Sequence, residues 1–319
     1  MNRSIESTTT ESISLQKLAV FAIILILIWG SAFTMVSVAV RYIAPIWMVA
    51  FRLTFGAIFL TAYMLIRGHR FPPLKDKRWI WYSALGLTSS VIPFFLLGTG
   101  METVDSGLTA ILVGCMPLMT IIMAHFVTEE KLNFLKLIGF IIGLFGTVIL
   151  FLPDDFSFRL IQDWQAQLLI ILAAFFYALT TVAAKIAPKT SSTVAAAMMM
   201  ITGAAFGLAA ALFTGLEGAI PPDGNGLVTF LMISGLGLGS SGIAVIMYLY
   251  FIDVAGTSSM ASVNYFVPIA SVGFGVWLLH EPLSWRIFAS FAVILLGVLI
   301  ARLGKDKPPM GTPNPNLGR

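Results

Sequence analysis

The chain is 319 residues long, 58% hydrophobic and 11% charged, with a mean hydropathy of +0.93 and a formal net charge of +4. Soluble domains carry about a quarter charged residues, so this inventory cannot clothe a core in a water-facing surface, and an ordinary soluble protein is excluded. The single cysteine, Cys115, excludes an intramolecular disulfide and a multi-cysteine metal site and reads as a buried small apolar residue.

Residues 1–17, rich in Ser, Thr and Glu, cannot bury a core and are expected to form a disordered tail. Crossing about 30 Å of hydrocarbon takes about 20 mainly apolar residues. Ten stretches meet that template: Leu18–Val40, Pro45–Ile66, Trp79–Gly98, Gly107–Phe126, Leu135–Phe151, Trp164–Lys185, Thr193–Phe213, Leu227–Phe251, Ser258–Leu279 and Arg286–Ile300. Continuous apolar runs satisfy their own backbone groups as helices, whereas barrel strands would show about ten residues of strict alternation. The first run exceeds a signal-peptide core and ends in no small-residue cleavage pattern, so it is expected to stay in the mature protein. Residues 303–319, with Pro308, Pro309, Pro313 and Pro315, read as a second tail.

With the N-terminus inside, the inner segments hold 15 of the 19 Lys and Arg, the outer segments hold Arg41, Arg159 and Arg286, and Arg52 lies within the second span. Both termini are therefore expected in the cytoplasm. Because the basic residues sit in short loops rather than one groove, the net charge is explained by insertion next to anionic lipid, and no nucleic acid partner is expected.

An internal repeat divides the chain. Shifted by 151 residues, 101–151 aligns with 252–302 without a gap, and eight positions are identical: Ala110 with Ala261, Pro117 with Pro268, Glu130 with Glu281, Leu132 with Leu283, Phe140 with Phe291, Leu144 with Leu295, Gly146 with Gly297 and Ile149 with Ile300. Two repeats, 18–151 and 164–302, each hold five spans, an odd number, and so cross the membrane in opposite senses. Inverted halves can exchange conformations around a site at their interface, which is the basis of alternating access.

Trp29-Gly30-Ser31-Ala32-Phe33, Ala44-Pro45, Phe51-Arg52, Gly107-x-x-Ala110 with Pro117 and Glu130, and Val267-Pro268 through Glu281-Pro282-Leu283 resemble the EamA-like transporters of the drug/metabolite transporter superfamily. The resemblance covers about residues 18 to 302 and implies a ten-helix, two-repeat secondary transporter of a bacterial inner membrane. It further implies a central cavity between the halves and, often, export of amino acids or related metabolites. Arg52 departs from a neat duplication, since Met198, Met199 and Met200 occupy the corresponding part of the seventh span.

Gly139 with Gly143, Gly203 with Gly207, and the glycines of the eighth span read as close-packing helix surfaces. Gly237-Leu238-Gly239-Ser240-Ser241-Gly242 matches a dinucleotide-loop pattern, but within an apolar span it reads as packing. No Walker-type loop is present and no cofactor is expected. Pro93, Pro117 and Pro268 are candidate hinges, with Gly146 and Gly297 as packing points. An ionisable residue within a span is functional by default; Arg52 either snorkels to the outer interface or meets a substrate carboxylate or phosphate. No Asp or Glu lies at mid-depth, which weakens both a buried-carboxylate proton relay and a membrane enzyme. The expected substrate lining is Trp29, Ser31, Arg52, Tyr82, Tyr177, Thr180, Tyr248, Asn264 and Tyr265, with Asn264 weighted most; Ser89 is a further candidate. Aromatic rings with one cation suit a small zwitterion or an apolar organic anion. The expectation is an all-α transporter moving a small metabolite, more readily outward, as monomer or homodimer. The alternatives are multidrug or cation extrusion, metabolite uptake and, from another class, a membrane-embedded enzyme or scaffold.

Overall fold

The computed structural model describes residues 15–127, 134–150, 163–222, 224–264 and 266–303, and every regular element among them is helical. α1 spans Leu15–Ala39 and α2 Pro45–Ile66. α2 starts where Ala44 is extended and Pro45 occupies the first turn, where its missing amide leaves no bond unmade. It ends in a turn at Gly68, φ +76°, in which the His69 amide donates to the Met64 carbonyl; a side chain would be strained at that φ.

α3 (Arg78–Gly86), a π-helical segment π1 (Leu87–Val91) and α4 (Ile92–Gly100) form one uninterrupted rod. α5 (Ser106–Val113) and α6 (Met116–Val127) are parted at Gly114 and Cys115, just ahead of Pro117. α7 (Phe134–Leu150), α8 (Trp164–Ile186) and α9 (Ser192–Phe213) follow, the last capped by Ser191, whose hydroxyl accepts from the Val194 amide. α10 (Gly226–Ser234), a second π segment π2 (Gly235–Ile243) and α11 (Ala244–Asn264) run on to α12 (Val267–Leu279) and α13 (Trp285–Leu303).

Seven of these runs are long and apolar enough to cross a membrane: Gln16–Ala39, Pro45–Ile66, Arg78–Gly100, Ser106–Val127, Trp164–Ile186, Ser192–Phe213 and Gly226–Phe251. Shorter apolar helices at Phe134–Gly143, Val267–Leu279 and Trp285–Ala301 fall on the fifth, ninth and tenth stretches of the sequence. The molecule is an all-α membrane protein.

One boundary differs from expectation. The sequence places a turn between Phe251 and Ser258, yet α11 continues through these residues to Asn264, and α12 begins at Val267. Pro268 explains where the helix stops, because it has no amide to offer the Asn264 carbonyl and its ring crowds that carbonyl. In the first half the corresponding turn does form, before α5, where Asp105 stands in an extended N-cap conformation; the position 151 residues on is Gly256.

α2 packs along α9, and together they bury Met48, Leu53, Leu60, Met64 and Met198 almost completely. α1 lies on α12 with Gly30 against Ala270, and α7 lies on α13 with Gly139 against the Gly297 backbone. A Cβ at Gly30 would come within 2.6 Å of the Ala270 Cβ. Small residues let helices touch where lipid supplies no hydrophobic drive for association. The Ser290 hydroxyl adds a 2.7 Å bond to the Gly146 carbonyl across the α7–α13 contact.

Candidate functional site

The two π segments occupy matching positions. Residues 83–92 read Ser-Ala-Leu-Gly-Leu-Thr-Ser-Ser-Val-Ile and residues 234–243 read Ser-Gly-Leu-Gly-Leu-Gly-Ser-Ser-Gly-Ile, seven identities at the same 151-residue offset. In π1, Pro93 cannot donate to the Ser89 carbonyl and its ring crowds it, so the helix widens ahead of the proline. In π2, glycines at 235, 237, 239 and 242 leave the backbone free to widen without one. π-bulges within α-helices concentrate at functional sites.

A glycine docks each π segment, Gly86 just ahead of π1 and Gly237 within π2. Gly86 sits directly against the Met199 carbonyl of α9, and Gly237 against Phe55 and the Arg52 carbonyl of α2, where a Cβ would lie 2.7 Å from that oxygen. The second contact places Ser240 and Ser241 over the Arg52 side chain. Arg52 Nε donates to Ser241 Oγ at 2.9 Å and Nη2 to Ser240 Oγ at 3.2 Å, while the Ser240 hydroxyl donates to the Leu236 carbonyl at 2.8 Å. The guanidinium carbon stands 3.6 Å from the centre of the Phe94 ring, and Arg52 is only 7% exposed. It therefore turns inward rather than snorkelling.

Aromatic rings surround this centre. Phe94 meets Tyr177 of α8 edge to face at 6.4 Å, Trp29 of α1 meets Tyr248 of α11 at 5.8 Å, and the Trp29 indole donates to the Ser240 carbonyl at 3.4 Å. Of the expected lining, the structure gathers Trp29, Arg52, Tyr177 and Tyr248 here. Phe94, Ser240 and Ser241 were missed by sequence reasoning; the duplicated Ser-x-Leu-Gly-Leu-x-Ser-Ser-x-Ile motif was the signal that could have found them.

The other expected residues lie elsewhere. Thr180 approaches Thr88 of π1 at 2.9 Å and ties α8 to that segment, and the Ser89 and Ser90 hydroxyls pair with each other at 3.0 Å. Ser31 bonds the Ile28 carbonyl of its own helix, and the Tyr82 hydroxyl donates to the Pro188 carbonyl at 2.8 Å, fastening α3 to the α8–α9 connection. Asn264 is exposed at the end of α11, and Tyr265 lies outside the described residues. Pro93 follows π1, whereas Pro117 and Pro268 follow the breaks in their spans. Gly146 and Gly297 lie in the α7–α13 contact, and Cys115 is buried. Among the described residues no group of three His, Cys, Asp or Glu is placed to hold a metal ion.

A second polar cluster sits at the N-terminus of α5. Glu281, from the α12–α13 connection, accepts from the Ser106 amide at 2.8 Å and the Gly107 amide at 3.1 Å. Its carboxylate fills a slot against Gly275 that a side chain there would close, and Ser271 donates to the Ser106 carbonyl at 3.2 Å. Asp105, the nominal cap, makes no side-chain capping bond. Burial first, and then the negative charges of Glu281 and Asp163 against the opposing pull of Arg41, push the Asp105 carboxyl above the usual carboxylate range.

Membrane-length helices, two matched π segments and a buried cation ringed by aromatics define a polytopic membrane protein with a polar centre. The EamA-like transporter family model matches the chain twice, over residues 16–152 and 164–303, and the chain belongs to that family. It is 29% identical over 295 residues to YedA of Escherichia coli K12, named an uncharacterized inner membrane transporter, spanning 90% of each chain. It is 25% identical to the uncharacterized transporter YoaV of Bacillus subtilis 168, over 86% of this chain and 92% of that one. A solved crystal structure of a protein shares the fold with a TM-score of 0.61 at 21% identity, covering 91% of this chain and 98% of the other. Family and relatives make the protein a membrane transporter.

Proposed function

We propose that the protein is a secondary transporter built of ten spans in two inverted repeats, 18–151 and 164–302. It lies in a bacterial inner membrane with both termini in the cytoplasm and moves a small organic metabolite, an amino acid or a related compound, outward by alternating access. The reciprocal docking of the π segments carries this reading: π1 of one half rests on α9 of the other, and π2 rests on α2, with Arg52 beneath it. A pair of matched, interrupted helices in corresponding positions of two halves is the expected mark of a transport site. Pro117 and Pro268, each just past a break, supply the hinges in this scheme.

Two-sided labelling tests it. A Cβ at Gly239 of π2 meets nothing within 4 Å, so Gly239→Cys in a Cys115→Ala background is a tolerated probe beside Ser240. Alternating access predicts that an impermeant maleimide reaches this cysteine from either face of oriented vesicles, substrate shifting the ratio. Labelling from one face only, whatever is added, would contradict it.

A further inference from the structure

We propose that Arg52, held by Ser240 and Ser241, is the anion subsite of the transport centre and that the transported compound is a monocarboxylate lacking an ammonium group, preferred over the amino acid of the same skeleton. This deepens the transport reading above and rests on it.

Arg52 is 7% exposed within a span, and both of its hydrogen bonds go to neutral hydroxyls. None of the carboxylates whose side chains are described pairs with it: Asp76, Glu102, Asp105, Asp163, Glu217 and Glu281 all lie in loops, turns or helix ends. Burying a charge without a counter-charge is expensive, and membrane proteins keep such residues where a partner or substrate neutralises them.

The bonding pattern leaves donors for that partner. A guanidinium has five donors, four of which form two forks. The serines occupy Nε and one Nη2 hydrogen, which together form the side-on fork. The end-on fork, one hydrogen from each of Nη1 and Nη2, has no described acceptor. A carboxylate takes such a fork with two parallel hydrogen bonds. Ser240 and Ser241 thus orient the cation and leave its end-on fork without a described acceptor.

The mirror position shows that the centre has one charged pole. Shifted by 151 residues, the serine pair becomes Ser89 and Ser90, whose hydroxyls bond each other. Gly86 docks there on Met199 as Gly237 docks on Arg52, so a methionine stands where the other half has its arginine. The large side chains gathered about this centre are rings: Trp29, Phe94, Tyr177 and Tyr248. A monoanion neutralises this centre. A zwitterion would leave the site's positive charge in place and bring an ammonium among rings of which Phe94 is already covered by the guanidinium.

Two matched trios test the proposal: 3-phenylpropionate, phenylalanine and 2-phenylethylamine, and 4-methylpentanoate, leucine and 3-methylbutylamine. Binding to purified protein is read by thermal shift and exchange by counterflow in proteoliposomes. The acids are expected to bind about tenfold or more tighter than the amino acids, and the amines not at all. Arg52→Gln should abolish acid binding and Arg52→Lys restore part of it. Ser240→Ala/Ser241→Ala, which keeps the charge, should weaken it several-fold without lowering the yield of monodisperse protein. Equal or tighter binding of phenylalanine or leucine, or acid binding unchanged in Arg52→Gln, overturns the proposal. Counterflow of an amino acid or amine at the same rate in wild type and Arg52→Gln would overturn it while leaving the transport reading intact. Neither binding nor counterflow of any of the six would count against both.

Discussion

Glu281 caps a helix that begins at Ser106, 175 residues earlier in the chain, by accepting the amides of Ser106 and Gly107 with its two carboxylate oxygens. A charge-assisted bond of this kind contributes about 1.5–3 kcal/mol, so Glu281→Ala should lower the thermal midpoint in detergent clearly, and Glu281→Gln less.

The bond uses backbone, which separates two substitutions at one position. Proline is ordinarily favoured at the first residue of a helix, but Ser106→Pro removes the amide that Glu281 takes and should destabilise. Ser106→Ala should be neutral or slightly stabilising, because the Ser106 hydroxyl is buried without a hydrogen-bond partner. Unfolding midpoints of the two variants check this.

Asp105 gives a pH dependence of known sign. Its carboxyl is raised in the folded state, so its stabilising contribution is present below the ordinary carboxylate value and lost as pH rises through the raised one. Asp105→Asn should therefore be more stable than the wild type at pH about 7, with the advantage fading as pH falls toward about 4. A constant difference across that window would rule the effect out.

Gly86, just ahead of π1, and Gly237 of π2 make contacts too close for a side chain. Overpacking typically costs about 1–3 kcal/mol, so Gly86→Ala and Gly237→Ala should each lower stability, and Gly237→Ala should also displace the serines above Arg52. Gly239→Ala, where a Cβ meets open space, is the control and should be close to wild type.

Class, helix positions and family were legible because apolar run length and the Trp29-Gly30-Ser31 and Glu281-Pro282-Leu283 motifs are local signals. Arg52 could be singled out for the same reason: a charge inside a span stands out in any window. Its partners could not, because Ser240 and Ser241 meet it through a helix widening that hydropathy does not register. Asn264 looked compelling as a mid-span amide, yet it ends α11 and is exposed, since Pro268 terminates the helix four residues before itself. Tyr82 and Ser31 pass the same polarity test as the central residues but satisfy themselves on the Pro188 and Ile28 carbonyls. Polarity alone does not separate a lining residue from a tie.

The central claim, that solute leaves the cell through a centre built on Arg52, is tested most directly by the extracellular metabolite profile of bacteria expressing the protein beside matched cells expressing Arg52→Gln at equal membrane abundance. Enrichment of a small set of carboxylates outside the wild-type cells alone is the predicted result. Identical profiles in the two strains, with both proteins inserted, would contradict it.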